Sequence, residues 1–504
     1  MRHTQPAEPS YFFHGGFIDL RNVISDAFRN CGGYISQGAK GVSDAWGKII
    51  NEFKCYTGFF DFIGAFIPNL FLFGFFFTQL LFTAVITPLI CISVTIVQII
   101  ILSVLFFIVF VGFVIITLID WIYCCYNKIA SHCPICQSKY SLPIYICPGF
   151  DADNGVFCGA EHDRLRPGYY GIFRRKCNCG EKLPTTFLNG RQKLKAVCPD
   201  CKAHGTDSGG LHASWSIPVI GGPNSGKTCY INMTMMSLEK NALSEYGLTF
   251  EHVKTGRDEY EKNSQFLSYG SLPQKTADDR LNYYQFYLTP EGATKQQISL
   301  CDVAGELFNV NYNGINKIDS QMGFRYGNAF MLIVDPLSIS NYRKEISKTI
   351  DVNKYDGSAQ PIDEMLGTFI ETLQNMFGVA AKDILNTNVA VVFTKMDIPG
   401  LAQKIGVNAV LKDAPSHEQK VKYKTQNDLC EQFLREYGEN NFLLSLKSRF
   451  KCVQFFTCSA LGHVMNGQPF VASNVEEPLF WLLRKQSAVI NKAIKQTTIQ
   501  GGKK

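Results

Sequence analysis

The chain has 504 residues, room for about three domains at roughly 150 residues each. Hydrophobic residues make up 46% and charged residues only 18%, which excludes a largely disordered chain. The net charge of +6 is small for this length and argues against wholesale nucleic-acid packaging, while a charge-free run from Phe62 to Ile119 argues against a purely soluble protein.

Residues 1–58 are polar to amphipathic. Met1 to Ser10 carry no apolar core of a signal peptide. Val23 to Phe53 have apolar residues at rough helical spacing, interrupted by Gly32-Gly33, and Trp46, Ile49, Ile50 and Phe53 can share one face. That face predicts a helix packing on the rest of the chain or lying on a bilayer.

Residues 59–122 form the apolar segment. A spanning helix needs about 20 residues, and Pro88 lacks the amide donor and disfavours helix before it. The sequence therefore predicts a transmembrane helical hairpin, with spans near 62–87 and 92–119. A re-entrant hairpin is the alternative. Asp61 at one end and Asp120, Trp121 and Tyr123 at the other mark its edges.

Residues 125–210 hold nine of the eighteen cysteines, eight of them from Cys133 to Cys201. A CxxC pair sets two thiolates on one tight turn, and two pairs complete a tetrahedral zinc site. In chain order, Cys177, Cys179, Cys198 and Cys201 have zinc-ribbon spacing. Cys133 and Cys136 start a second set, with Cys147 as third ligand and Cys158 or His162 as fourth. Two structural zinc ions in small β modules are expected. Arg164, Arg166, Arg174, Arg175, Lys176, Lys193 and Lys195 read as a solvated face or as a phosphate-binding one, for nucleic acid or lipid.

Residues 213–490 carry the chemistry. An apolar run from Trp215 leads into Gly221-Gly222-Pro223-Asn224-Ser225-Gly226-Lys227-Thr228, with Cys229 next. This is GxxxxGK[ST] between a strand and a helix, a loop whose amides cradle phosphates. Lys227 supplies charge for the phosphates and Thr228 a magnesium ligand. Ile298-Ser-Leu-Cys-Asp302-Val-Ala-Gly305-Glu306 delivers a carboxylate for magnesium at a strand end, with the Gly305 amide toward the γ-phosphate. Val389 to Asp397 ends in Thr394-Lys395-Met-Asp397. A carboxylate there accepts from guanine N1–H and its 2-amino group, donors that adenine lacks. Val453 to Leu461 ends in Ser459-Ala460-Leu461, whose backbone can meet the guanine oxygen.

These four motifs, in this order and each at a strand end, resemble the P-loop GTPases of the translation-factor and Ras-like class. The resemblance covers about half of the chain. It implies a doubly wound, mostly parallel six-stranded α/β sheet, with ligands at the carboxyl ends of its strands. It also implies a switch threonine that ligates magnesium. Thr276, ahead of the strand Leu281 to Leu288, is the candidate, with Thr255 as the alternative. Glu306 stands where Ras-like enzymes place a water-orienting glutamine, so slow hydrolysis is expected. The Pro223-Asn224 pair is similar to Era-like members in which the asparagine helps bind potassium. Zinc-ribbon cysteines ahead of such a loop are similar to uncharacterised bacterial-type members of the class.

The expected whole is a membrane-anchored guanine-nucleotide switch that binds GTP and GDP and is read by effector proteins, with an even number of spans and both termini cytosolic. A non-hydrolysing scaffold and a zinc-ribbon adaptor for nucleic acid or lipid headgroups are the alternatives. Leu401 to Lys447 reads as a specificity insertion, Val475 to Leu483 as the closing helix, and residues 491–504 as a polar frayed tail.

Overall fold

The computed structural model describes residues 5–55, 58–127, 129–133, 138–151, 155–202, 212–253, 257–274, 282–303, 329–371, 373–374, 380, 384, 386–414 and 418–501. The chain divides into two compact units: Met1–Tyr123 with Cys147–Arg191, and Cys124–Ile146 with Gln192–Lys504.

In the first unit, Gly15–Cys55 is one helix of 41 residues that runs through Gly32-Gly33. Phe59–Tyr126 is a second helix of 68 residues, about 100 Å long at 1.5 Å per residue. Both Pro68 and Pro88 lie inside it, so the turn expected at Pro88 is absent. A proline removes one ladder bond without ending a helix whose neighbouring turns stay bonded. The hydroxyls on this helix bond back to its own carbonyls, as in Thr83 to Gln79 (3.0 Å) and Ser93 to Leu89 (2.8 Å). They add no unsatisfied polar atom to an apolar surface.

The antiparallel hairpin is instead formed by these two helices. Phe12 stacks on Phe106 with centroids 5.0 Å apart, and Trp46 meets Phe73 at 5.2 Å. Between those contacts, Gly38 and Gly41 lie against Leu80 and Phe76. On the first helix Ala45 and Ile49 are buried while Trp46 and Ile50 stay largely exposed. Asp120 does not mark a wet edge: it is buried, accepts from the Phe187 amide (2.7 Å) and lies 3.3 Å from the buried Arg191.

The second unit is built on a seven-stranded mixed sheet. Its strands are β1 (Ala213–Ile220), β2 (Leu248–His252), β3 (Asn282–Pro290), β4 (Gln296–Asp302), β5 (Ala329–Val334), β6 (Asn388–Phe393) and β7 (Cys452–Thr457). The spatial order is β2-β3-β4-β1-β5-β6-β7. β1 is parallel to β4 and β5, and β5, β6 and β7 follow in parallel. β3 is antiparallel to both β2 and β4.

The sheet has seven strands where six were expected. β2 follows the helix Lys227–Tyr246, which ends at Gly247 in the left-handed region (φ 64°), and pairs along the outer edge of β3. β1, β4 and β5 are buried along their whole length, the pattern of central strands covered on both faces. One face packs Tyr230, Leu238, Leu479, Phe480 and Leu483; the other packs Leu366, Phe369, Phe433 and Phe442.

Two sequence readings change here. The segment from Leu401 is a set of helices, Leu401–Ile405, Val407–Asp413, Gln419–Glu436 and Asn440–Arg449, several of whose side chains enter that second core. The expected frayed tail begins as the helix Ala488–Gly501, whose Ile490 and Ile494 are buried in the first core. Their spacing of four residues places both on one helical face.

Candidate functional site

The carboxyl ends of β1, β4, β6 and β7 converge on one cleft. Two cavities of about 210 and 930 Å³ share Gly226, Cys229, Leu272, Tyr355, Asp356, Lys395 and Leu461 as lining. The smaller one is bounded by Pro223 to Cys229 and Asp302, and the larger by Asp397, Ala460 and Leu461. The motifs that are far apart in sequence therefore line one continuous space.

The loop after β1 is held by close backbone approach. A Cβ on Gly221 would lie 2.7 Å from the Ile333 carbonyl oxygen, so only glycine fits there. Asn224 and Gly226 have φ of 58° and 87°. Lys227 opens the following helix and is buried. Its Nζ donates to the Gly221 and Gly222 carbonyls at 3.0 and 2.9 Å, which holds the cation at the mouth of the loop.

Register sets Asp302 opposite Val219, just before the loop. The Thr228 hydroxyl donates to Asp302 Oδ2 at 2.6 Å. A hydroxyl and a carboxylate side by side are hard oxygen donors of the kind that hold magnesium. Burial first, with Asp302 adding, pushes the neighbouring Cys229 thiol up to about 12, so it meets the cleft uncharged.

The end of β6 lies across the same loop. Thr394 Oγ1 donates to the Ser225 carbonyl at 3.1 Å. Lys395, with φ 59°, turns its Nζ onto the Asn224 carbonyl at 3.2 Å. Asp397 is oriented by the Ser459 hydroxyl at 2.6 Å, and that same hydroxyl accepts from the Gly462 amide at 2.8 Å. The third and fourth motifs are thus joined by a direct bond.

Residues 216–441 match the Double-GTPase 2 family model. No curated protein matches the chain. A GTPase-type domain on a mixed sheet therefore lies within the second unit. The match includes the first three motifs and stops short of Ser459 to Leu461.

Sequence reasoning missed one wall of this domain's cleft. Asp335, directly after β5, is fully buried and pairs with Lys395 Nζ at 2.7 Å. It also accepts from the Leu337 amide (2.9 Å) and the Ser358 amide (2.7 Å). Lys395 further donates to the Tyr355 and Asp356 carbonyls at 2.9 and 3.1 Å. Asn224 Nδ2 donates to Asp356 Oδ1 at 3.2 Å, so its side chain is engaged within the protein. The stretch from Ile350 to Asp356 consequently faces Asp397 and Leu461 across the larger cavity. Burial, then the Asp397 carboxylate, raise the Tyr355 phenol above its ordinary value. The available signal was an aspartate at the end of an apolar strand, which marks a functional strand end in this topology.

Thr276, Thr255, Gly305 and Glu306 lie outside the described residues, as does Cys136.

The cysteines group differently from the order of their pairs. Cys147, Cys158, Cys177 and Cys179 offer four sulfurs that all lie within 4.8 Å of one another. Cys133, Cys198 and Cys201 form a second such group. Close sulfur pairs are Cys147–Cys179 at 3.6 Å, Cys158–Cys177 at 3.8 Å and Cys133–Cys201 at 3.5 Å. The expected sets, 177/179/198/201 and 133/136/147/158, are both split. Ile144–Ile146 pairs with Ala196–Val197, so Cys198 follows a strand of the second unit, whereas Cys177 and Cys179 belong to the first.

His162 joins neither group. It is fully buried with neither ring nitrogen hydrogen-bonded among the described residues, and burial, then Arg175, lower its pKa to about 4. The basic face also loses a member. Arg175 is buried and donates to the Asp163 and Arg164 carbonyls at 3.1 and 2.9 Å.

Proposed function

We propose that this protein is a membrane-attached guanine-nucleotide switch that binds GTP and hydrolyses it slowly. The observation that carries the reading is the convergence of Lys227, Thr228, Asp302, Lys395, Asp397 and Ser459 on one cleft within the GTPase-type domain.

The triphosphate occupies the smaller cavity, wrapped by Gly221 to Cys229, and the helix that begins at Lys227 points its amino end at the charge. Lys227 exchanges its two carbonyl partners for phosphate oxygens. Thr228 and Asp302 would hold magnesium, which would supply charge neutralisation to the phosphates. The base enters the larger cavity, where the Asp397 carboxylate accepts from guanine N1–H and the 2-amino group. Lys395, fixed by Asp335, and the backbone of Ala460 and Leu461 complete that pocket.

In hydrolysis, water attacks the γ-phosphorus in line, the bond to the bridging oxygen breaks, and GDP and phosphate leave. The sequence supports Thr276 and Gly305 as the groups that sense the γ-phosphate. Glu306 adds negative charge beside it, which supports a slow rate. Effector proteins would read those loops.

Membrane attachment is supported by Phe59–Tyr126. The helix carries no charged residue from Phe62 to Ile119, and its apolar side chains are mostly exposed. Its length is roughly three times a ~30 Å hydrocarbon core. The need for GTP and for thiols that stay reduced supports a cytosolic location of the domain.

The test uses the full chain in detergent with magnesium. Calorimetry should give saturable GTP binding within the ~1 µM–1 mM range usual for substrates, with single-turnover release of phosphate. Absence of GTP binding there would end the reading. Binding without phosphate release would reduce it to a scaffold. Resistance of the protein to alkaline extraction from membranes checks the attachment, and full release into the supernatant would contradict it.

A further inference from the structure

We propose that the chain binds two zinc ions in nested rather than consecutive sites. One ion is held by Cys147, Cys158, Cys177 and Cys179, and the other by a group that includes Cys133, Cys198 and Cys201. The inference stands independently of the nucleotide site.

Four sulfurs from four separate positions lie mutually within 4.8 Å. At a Zn–S distance of about 2.3 Å, a regular tetrahedron has S···S edges of about 3.8 Å. The observed pairs at 3.6 and 3.8 Å are close to that edge, and far from the ~2.05 Å of a disulfide. Cys147, Cys158, Cys177 and Cys179 are thiols outside any disulfide. Each group also carries the amide that a thiolate needs. Gly149 N donates to Cys147 Sγ at 3.4 Å, and Asp200 N to Cys198 Sγ at 3.4 Å.

The backbone is adapted to the first group. A Cβ on Gly149 would come within 2.9 Å of Cys179 Sγ, so the chain passes the sulfurs at a distance only glycine permits. Soft thiolates in fourfold array select zinc over magnesium or calcium. Four protein ligands leave no position for water, so the ion is structural.

The arrangement has a topological consequence. All ligands of the first ion fall in sequence between Cys133 and Cys198. The second ion therefore joins two stretches that the first one separates. Within its own unit that junction continues into the sheet: Ala130 N donates to the His212 carbonyl at 3.3 Å, and Ile129 bridges to Ala213 at the start of β1. The second ion thus fastens the chain entering β1 to the chain that leaves the long apolar helix.

Zinc content of paired substitutions in the full-length protein separates nested from consecutive sites. Wild type should carry two zinc ions per chain by elemental analysis. Cys147→Ser with Cys179→Ser should leave one, because both belong to one site. Cys133→Ser with Cys147→Ser should leave none. Consecutive sites invert these two results, and that inversion would overturn the proposal. A wild-type zinc content near zero would overturn it as well.

A second measurement needs no folded variant. During stepwise chelation of the wild-type protein, alkylation read by mass spectrometry should expose Cys147, Cys158, Cys177 and Cys179 together. Cys133, Cys198 and Cys201 should appear as a separate group. Exposure of Cys177 and Cys179 together with Cys198 and Cys201 would contradict nesting.

Discussion

In the seven-stranded sheet, each motif sits at the end of its own strand, and strands adjacent in space bring neighbouring motifs to one cleft. In the cysteine-rich segments, the strands are two or three residues long, and sequence neighbours such as Cys179 and Cys198 belong to different groups. The sheet is held by burial: β1, β4 and β5 have no exposed residue. The strands of the cysteine-rich segments are too short to hold one another that way, and in the proposed arrangement ligand bonds hold them. Burial propagates along a strand and keeps spatial order close to sequence order. A metal site joins any ligands that reach it, and spatial order is then set by which strands pair.

The strongest way to break this contrast is to strip zinc. Structural zinc contributes about 10–16 kcal/mol of apparent binding free energy to small modules. A strong chelator should therefore open residues 131–201 to protease while the sheet remains resistant. Equal cutting in both regions, or in neither, would show that the contrast is false.

The next effect lies inside the sheet domain. Removing Asp335 leaves the Lys395 ammonium with its buried carboxylate gone, and breaking such a pair costs about 3–5 kcal/mol. Asp335→Ala should lower the unfolding free energy by that amount, with a lower denaturation midpoint, and weaken GTP binding with it. An unchanged midpoint would mean that the wall from Ile350 to Asp356 is not anchored through Lys395.

Lys227→Ala sharpens the division between binding and folding. Two charge-assisted bonds at about 1.5 kcal/mol each predict a loss of roughly 100-fold in GTP affinity. Isothermal calorimetry reads it directly. A loss under about threefold would remove Lys227 from the phosphate site.

The smallest effect concerns pH in the cysteine-rich unit. His162 has a folded pKa lowered to about 4 from 6.5, so the unfolded chain takes up its proton first. Its contribution is complete above about pH 6.5 and is lost as pH falls toward 4. Urea midpoints should decline over that window in wild type and less in His162→Leu. Parallel curves would contradict a neutral buried imidazole.

The sheet was largely legible because its central strands are continuous apolar runs punctuated by glycine, lysine and aspartate. β2 was not, since Leu248 to His252 is only five residues long and carries just two apolar side chains, Leu248 and Phe250. The helix through Pro88 was misread because proline was given the weight it has in water. In an apolar helix the lost bond is one among many, and the helix continues on both sides of the proline. The thiolate groups were misread because CxxC spacing identifies ligands without identifying partners. Asp335 carried no motif, and its role became visible only through the partners of Lys395.

The central claim is that the cleft reads guanine through Asp397. Competition of GTP and ATP for the full-length protein in magnesium tests it most directly, in wild type and in Asp397→Asn. The account predicts a strong preference for GTP that falls by about 10–100-fold in the variant, the worth of a charge-assisted pair of hydrogen bonds. Equal affinity for the two nucleotides in wild type, or a preference untouched by the substitution, would contradict it.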